Sequence, residues 1–562
     1  MARRRCLMAE RMNHADNFWY CMDEPTNLMV ITAFMEFKEP LDFNRLYATI
    51  DSRLASFPRF QKIVVRPRSG VGLPTWKTDA NYDLRFHLQR VALPDPGDKA
   101  ELQEMIANLM ISPLAPDRPL WQVHLIENYG KGCVLFFMIL HCIVYGIALI
   151  HVLLSTADTD PDAPWPKNRE KKKSSARSFN SPLQIHSTIR SIKETVKYTQ
   201  NLGKKVTKEI EKAVSDPAHL KQLVKTSSVL PTDFASVLSK HTIMSSDPNT
   251  AFKGKLGIRK KVTWTEPMAL DRIKKVGKAI NTATLNDVLI ATVTGAMRRY
   301  LKTRNTPVNE LDLRVTIPEN IRKPGTEFEL GNKFSLVFLP LPVHLEDPIL
   351  RLKEVKQRMD RLKTSPDPYI NFGLLSSIGY LPPGIAKKAA ALFGNKASGV
   401  LTNVPGPRQP LYFAGKKIDK FMFWVPRSGR IGLGISILSY NGNLVVGLAS
   451  DEKLMPDPEV LLEGFEDEFN HLLDLVQSGK IDDAPLVLHD RYQEARAADK
   501  AEESKQKQAT TQTAACKAFT KNGKRCKNQA RAGTEFCSVH RHQVKTDNRL
   551  KDVAQIVKEL SS

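Results

Sequence analysis

Twenty-two consecutive residues without a formal charge, Cys133 to Leu154 (CVLFFMILHCIVYGIALIHVLL), constrain this chain more than any other feature. The run is about long enough to cross a bilayer as one helix. Its texture argues otherwise. β-Branched and aromatic residues lead up to His141, a helix-like pattern starts at Gly146, and His141 and His151 interrupt the apolar surface. A buried strand, a turn and a helix fit that change of pattern better than a span. Neighbouring segments offer partners: Asn27 to Phe37 reads as a strand, Phe43 to Leu54 as a helix, and Trp121 to Glu127 as a half-buried strand. The last meets the apolar run across the turn Tyr129-Gly130-Lys131-Gly132. The expectation is a mixed sheet with flanking helices.

Proline, aspartate and then a basic run replace the apolar pattern at Asp158 to Lys173, which marks a linker. Ile189, Ile192, Val196, Leu202, Val206, Ile210 and Val214 follow, mostly at helical spacing, with lysines between them. That is a basic amphipathic helix or helix pair. It suits either a connector with its lysines in water or an apolar face that settles on an anionic lipid surface. Globular texture resumes at Leu256. Thr284 to Leu301 reads as a capped helix, Leu311 to Ile317 and Phe334 to Leu341 as strands, and Ile349 to Leu362 as a helix. Gly432 to Leu448 reads as a hairpin about Asn441-Gly442, and a helix near Glu459 to Val476 closes the body. The expected plan is an N-terminal α/β domain (1–160), a linker with the basic helical insert (161–250) and a second α/β domain (251–480). A solvated spacer (481–514), a small Cys- and His-bearing module (515–545) and a tail (546–562) complete it.

Net charge separates body from appendages. Of the chain's +23, residues 166–226 hold 15 basic and 5 acidic side chains, and residues 501–562 hold 13 basic and 6 acidic. The rest is close to neutral, unlike a protein that coats nucleic acid along its length. Seven cysteines are too few for a disulfide-stapled scaffold, so a reduced, intracellular chain is expected. Glu10, Arg11 and Asp16 interrupt any early apolar stretch, which argues against export.

His141 falls where the buried strand ends. A lone histidine in apolar surroundings is usually a satisfied core residue, so context must raise it to a catalytic candidate. Cys142 beside it points to the opposite face of an extended chain, which disfavours a Cys-His dyad. The context is a set of ordered blocks. They are PTNLM at 25–29, Pro119-Leu120-Trp121, LHCIVYGIALIHVLLSTAD from Leu140, and NDVLIA at 286–291. Gly331-Asn332 with FLPLPV after it, TNVPGP at 402–407 with LYFAGKKI after it, and ASDEKLMPDP at the end of the hairpin continue the series.

Over about residues 8–480 these blocks resemble the bacterial-type wax ester synthase/diacylglycerol acyltransferase family, whose signature is His-His-x-x-x-Asp-Gly. The resemblance implies a two-domain α/β fold like that of chloramphenicol-acetyltransferase-like, CoA-dependent acyltransferases, with a channel between the domains. It implies transfer of a long-chain acyl group from acyl-CoA to diacylglycerol or a long-chain alcohol without a cofactor, by an enzyme peripheral to the inner membrane or to lipid inclusions in the cytoplasm. His141 would be the general base, and Asn286 and Asp287 would face the channel from the second domain, where a helix start can stabilise an oxyanion. Plain helix capping explains Asn286 and Asp287 equally well. Leu140, Tyr145, Gly146, Pro119, Leu120, Trp121, Asn332, Asn403 and Pro405 would support the motif. Two positions depart from the signature: Leu140 replaces the first His and Tyr145 the Asp. In related acyltransferases that Asp pairs with an Arg, so either the Arg has changed too or the site is loosened. The alternatives to the enzyme are a catalytically weakened lipid-binding relative and an interaction protein driven by its C-terminal module.

In that module Cys516, Cys526, Cys537 and His540 offer four soft or borderline ligands, with a close Cys-x-x-His pair that suits tetrahedral Zn²⁺. His542 could substitute for His540. The basic residues around them (Lys521, Lys524, Arg525, Lys527 and Arg531) make nucleic acid a weak candidate partner, because neither a reading helix nor an aromatic platform accompanies them.

Overall fold

The chain divides its apolar residues between two open sheets. The computed structural model describes residues 10–67, 72–144, 146–165, 245–280, 283–321, 334–365 and 383–481, with 368, 371, 372 and 378. Tyr145, Asn332, the basic insert and the module with Cys516, Cys526, Cys537 and His540 lie outside the described residues. Within the described residues no group of three or more His, Cys, Asp or Glu is arranged to hold a metal.

The uncharged run is a strand, a turn and a helix: Gly132–Leu140 is fully buried along its length, and Gly146–Ser155 is helical. A strand buried on both faces needs no polar alternation, which is why this one looks membrane-like in sequence. No described helix is long and apolar enough to cross a membrane. Gly132 is required at the strand's start, because a Cβ there would collide with the Phe37 carbonyl of the neighbouring strand.

The first sheet runs Lys420–Trp424, Val30–Phe37, Gly132–Leu140, Trp121–Tyr129, Leu88–Ala92. All its pairings are antiparallel except the last. Its edge strand Lys420–Trp424 comes from the C-terminal half of the chain, with Trp424 opposite Thr32. The second sheet runs Phe334–Leu341, Leu313–Asn320, Gly399–Pro405, Leu433–Tyr440, Asn443–Asp451, Lys260–Trp264, with Met268–Ala269 beside Asn443–Asp451. Asn441 and Gly442 turn the hairpin with φ of 49° and 76°, the left-handed pair that Asn-Gly favours.

Period-two alternation separates the two faces of the second sheet. Leu401, Leu433, Ile435, Ile437, Val446 and Leu448 point to a core shared with helices Leu285–Thr303, Pro348–Lys363 and Pro458–Gln477. Val400, Val404, Leu438, Val445 and Ala449 point the other way, into one core with the first sheet. Phe34, Trp264 and Trp424 meet in that seam, with ring centroids 4.9 to 5.9 Å apart. Both halves thus belong to one compact unit, Met1–Ile481. The mixed α/β, two-domain expectation holds for this body.

Candidate active site

His141 is the first residue beyond the Gly132–Leu140 strand, and the main chain fixes its place. Its N–H donates to the Met29 carbonyl at 2.8 Å, and the Leu140 N–H donates to the Leu120 carbonyl at 3.0 Å. Two of the blocks read from the sequence, 25–29 and 119–121, therefore hold the strand end from either side. Trp121 is itself locked: its indole N–H donates to the Phe60 carbonyl at 2.8 Å, and His87 stacks on it at 4.4 Å. The Trp121 N–H closes a tight turn onto the Pro119 carbonyl. Gly146 opens the helix that follows.

The imidazole of His141 is 4% exposed. Trp19, from helix His14–Cys21, stacks on it with centroids 4.3 Å apart and planes inclined by 28°. Phe334 lies 5.5 Å away at 47° and also stacks on Trp19. His141 faces a seam cavity of about 30 Å³, room for about one water. Pro318, Leu336, Val400, Val425 and Pro426 give that cavity apolar walls, and the hydroxyls of Thr316, Thr402 and Ser428 are its polar side-chain groups beside the imidazole. Cys142 is no nucleophile here, because complete burial pushes its thiol pKa well up.

The second-domain candidates lie elsewhere. Asp287 is fully buried and completes a capping box: its carboxylate accepts from the Thr284 N–H at 2.8 Å and from the Thr284 hydroxyl at 2.7 Å. Asn286 accepts a hydrogen bond from Asn403 at 2.5 Å. Neither Asn286, Asp287 nor Asn403 lines the cavity beside His141. The pleat is the reason. Val400 and Thr402 face the seam, so Asn403, one residue on, faces the helices, and Pro405 ends the strand exposed.

The signals that sequence reasoning missed are Trp19, Phe334, Thr316 and Ser428. None carries a motif that points to His141, and only the seam between the sheets brings them to it.

Two sheets linked by an exchanged strand, with a strand-end histidine facing the seam between them, make up a two-layered α/β fold. The chain is similar in structure to a wax ester synthase/diacylglycerol acyltransferase from Marinobacter aquaeolei VT8, with a TM-score of 0.57 at 19% identity over 83% of this chain and 100% of that one. It is similar in fold to the first condensation domain of the calcium-dependent antibiotic synthetase, with a TM-score of 0.52 at 15% identity over 84% of this chain and 96% of that one. An O-acyltransferase of Acinetobacter baylyi is 28% identical over 410 residues, 70% of this chain and 82% of that protein. The family model described as the wax ester synthase/diacylglycerol acyltransferase catalytic domain matches residues 12–289, and that of its C-terminal domain matches residues 330–473. The chain belongs to the wax ester synthase/diacylglycerol acyltransferase family and is an acyltransferase.

Proposed function

We propose that His141 is the general base for transfer of a long-chain acyl group from acyl-CoA to diacylglycerol or a long-chain alcohol. The imidazole takes the acceptor's hydroxyl proton while that oxygen attacks the thioester carbonyl. The C–S bond then breaks, and the proton passes to the departing CoA sulfur. The observation that carries this reading is the placement of His141: pinned by main-chain bonds at a strand end and opening on a narrow, mostly apolar seam. Because substrate and product are apolar, exchange at a lipid surface suits the reaction better than release into water, and the basic stretch 166–226 supplies charge for such a surface. The sequence of Cys516, Cys526, Cys537 and His540 supports one Zn²⁺ in the C-terminal module.

Single-turnover transfer of labelled palmitoyl-CoA to dioleoylglycerol and to hexadecanol tests the assignment. His141→Ala is expected to lose about 10²- to 10⁴-fold in rate, the usual contribution of a general base. Transfer at the wild-type rate by that variant would refute it. Absence of transfer by wild type, with recovery in Tyr145→Asp, would identify a degenerate site instead.

A further inference from the structure

We propose that Asp16, acting through Arg59, is a positioning residue that holds the turn carrying His141, in place of the signature carboxylate that position 145 lacks. The inference rests on His141 being the base. Asp16 is fully buried in helix His14–Cys21, and its carboxylate accepts from Arg59 Nη1 at 2.6 Å. The same guanidinium nitrogen reaches the carbonyls of Cys142 at 3.2 Å and Ile143 at 3.5 Å, the two residues directly after His141. Arg59 is itself confined: it is 11% exposed and lies over the Trp76 ring at 5.0 Å. Asp16 is fixed in turn by the helix cap, where Asn13 donates to its carboxylate and accepts from its N–H, both at 2.7 Å.

The alternatives left open by the sequence were a changed arginine or a loosened site. The geometry gives a third answer: a guanidinium sits on the turn, and its counter-charge comes from helix His14–Cys21. Asp16 and Trp19 stand three residues apart, on one face of the same helix. That helix thus fastens the turn through Arg59 and stacks the imidazole through Trp19.

The test is steady-state acyl transfer by the full chain, comparing Asp16→Asn, Arg59→Lys, Asp16→Asn/Tyr145→Asp, Glu10→Gln and His141→Ala, with thermal melts of each. Asp16→Asn is expected to lower kcat about 10- to 100-fold, the cost of roughly 1 Å of misplacement, with KM for acyl-CoA within about twofold. Tyr145→Asp in that background is expected to restore at least a fifth of the wild-type kcat, because it returns a carboxylate two residues beyond Ile143. Glu10, the half-exposed second carboxylate 3.7 Å from Arg59, is expected to tolerate Gln with little change in kcat. Wild-type kcat in both Asp16→Asn and Arg59→Lys, with His141→Ala inactive, would overturn the positioning role and leave the base in place. Full activity in His141→Ala would overturn the base and this inference with it. Should Asp16→Asn fail to fold, Arg59→Lys decides: its shorter side chain keeps a charge near Asp16 but draws the donor back from the Cys142 and Ile143 carbonyls, so kcat must fall while the melt stays near wild type.

Discussion

Lowering the pH from 7.5 to 5 is expected to cost this fold about 2 kcal/mol through one side chain, His124. His124 lies in the strand Trp121–Tyr129 opposite Phe136, is 4% exposed, and has no hydrogen-bond partner at either ring nitrogen. Burial alone pushes its pKa down to about 4 from 6.5. Above pH 6.5 the imidazole is neutral in both the folded and unfolded chain and contributes nothing to the pH dependence. As the pH falls through 6.5 the unfolded chain takes up a proton that the folded one refuses until about 4. Stability is therefore lost across that window, and at pH 5 the difference is about 1.5 units at 1.36 kcal/mol each. His124→Leu removes the group. Urea unfolding followed by circular dichroism is expected to show the variant's advantage over wild type widening by about 2 kcal/mol between pH 7.5 and pH 5. The comparison cancels other titrations, including that of His87, whose pKa burial also lowers. A constant gap between the two proteins over that range would refute the reasoning.

Three further outcomes follow from buried contacts. Lys260 is 7% exposed, 2.7 Å from the fully buried Asp451, and donates to the Thr26 carbonyl at 2.9 Å, so Lys260→Met is expected to cost about 3–5 kcal/mol in urea unfolding by stranding the carboxylate. Adding Asp451→Asn to that variant should recover part of the loss, and strict additivity would count against the pair. Gly295→Ala places a Cβ against Glu468 and Arg351, a buried pair on the far side of the second sheet, and is expected to cost about 1–3 kcal/mol by the same measurement while kcat stays within about twofold. Trp19→Ala removes one of the two rings that fill the seam beside His141 and is expected to lower KM for acyl-CoA in steady-state transfer, while the lost buried ring costs about 3–5 kcal/mol in urea unfolding.

Much of the body was legible because its signals are local. The Thr284 cap, the Asn441-Gly442 turn and the change of pattern at Gly146 each appear in the structure where the residues call for them. The strand Phe334–Leu341 has the bounds that its apolar run predicts. The exchanged strand Lys420–Trp424 was not legible, because KFMFW is a short run whose partner, Val30–Phe37, lies almost 400 residues earlier. The site divides in the same way. His141 and the blocks that pin it could be read, since each carries a pattern. Trp19 and Arg59 could not, because what qualifies them is proximity to the turn after His141. Asn286 and Asp287 show how a pattern stays ambiguous: the structure shows Asp287 in a cap and Asn286 bonded to Asn403, and such residues read the same in sequence as ones that serve a channel.

The size of the seam cavity bears on how the site works. About 30 Å³ accepts one water, whereas a thioester and an attacking hydroxyl need several times that volume beside His141. On the proposal that His141 is the base, the described wall of this cavity must open to admit them. The histidine itself is a poor candidate, since Met29 and Leu120 hold its strand end through the main chain. A rigid shift of helix His14–Cys21 would carry Asp16 away from Arg59 and break the contact that reaches the turn after His141. Among the described residues the wall also carries Trp19 and Phe334, two aromatic rings that stack on each other and on the imidazole and can turn about side-chain torsions alone. Opening by rotation of those rings costs stacking of about 0.5–1.5 kcal/mol per pair, small beside the loss of a buried ion pair. With His141 as the proposed base, such a rotation would admit substrate without moving the backbone that carries the imidazole, and the orientation that proton transfer needs would be kept.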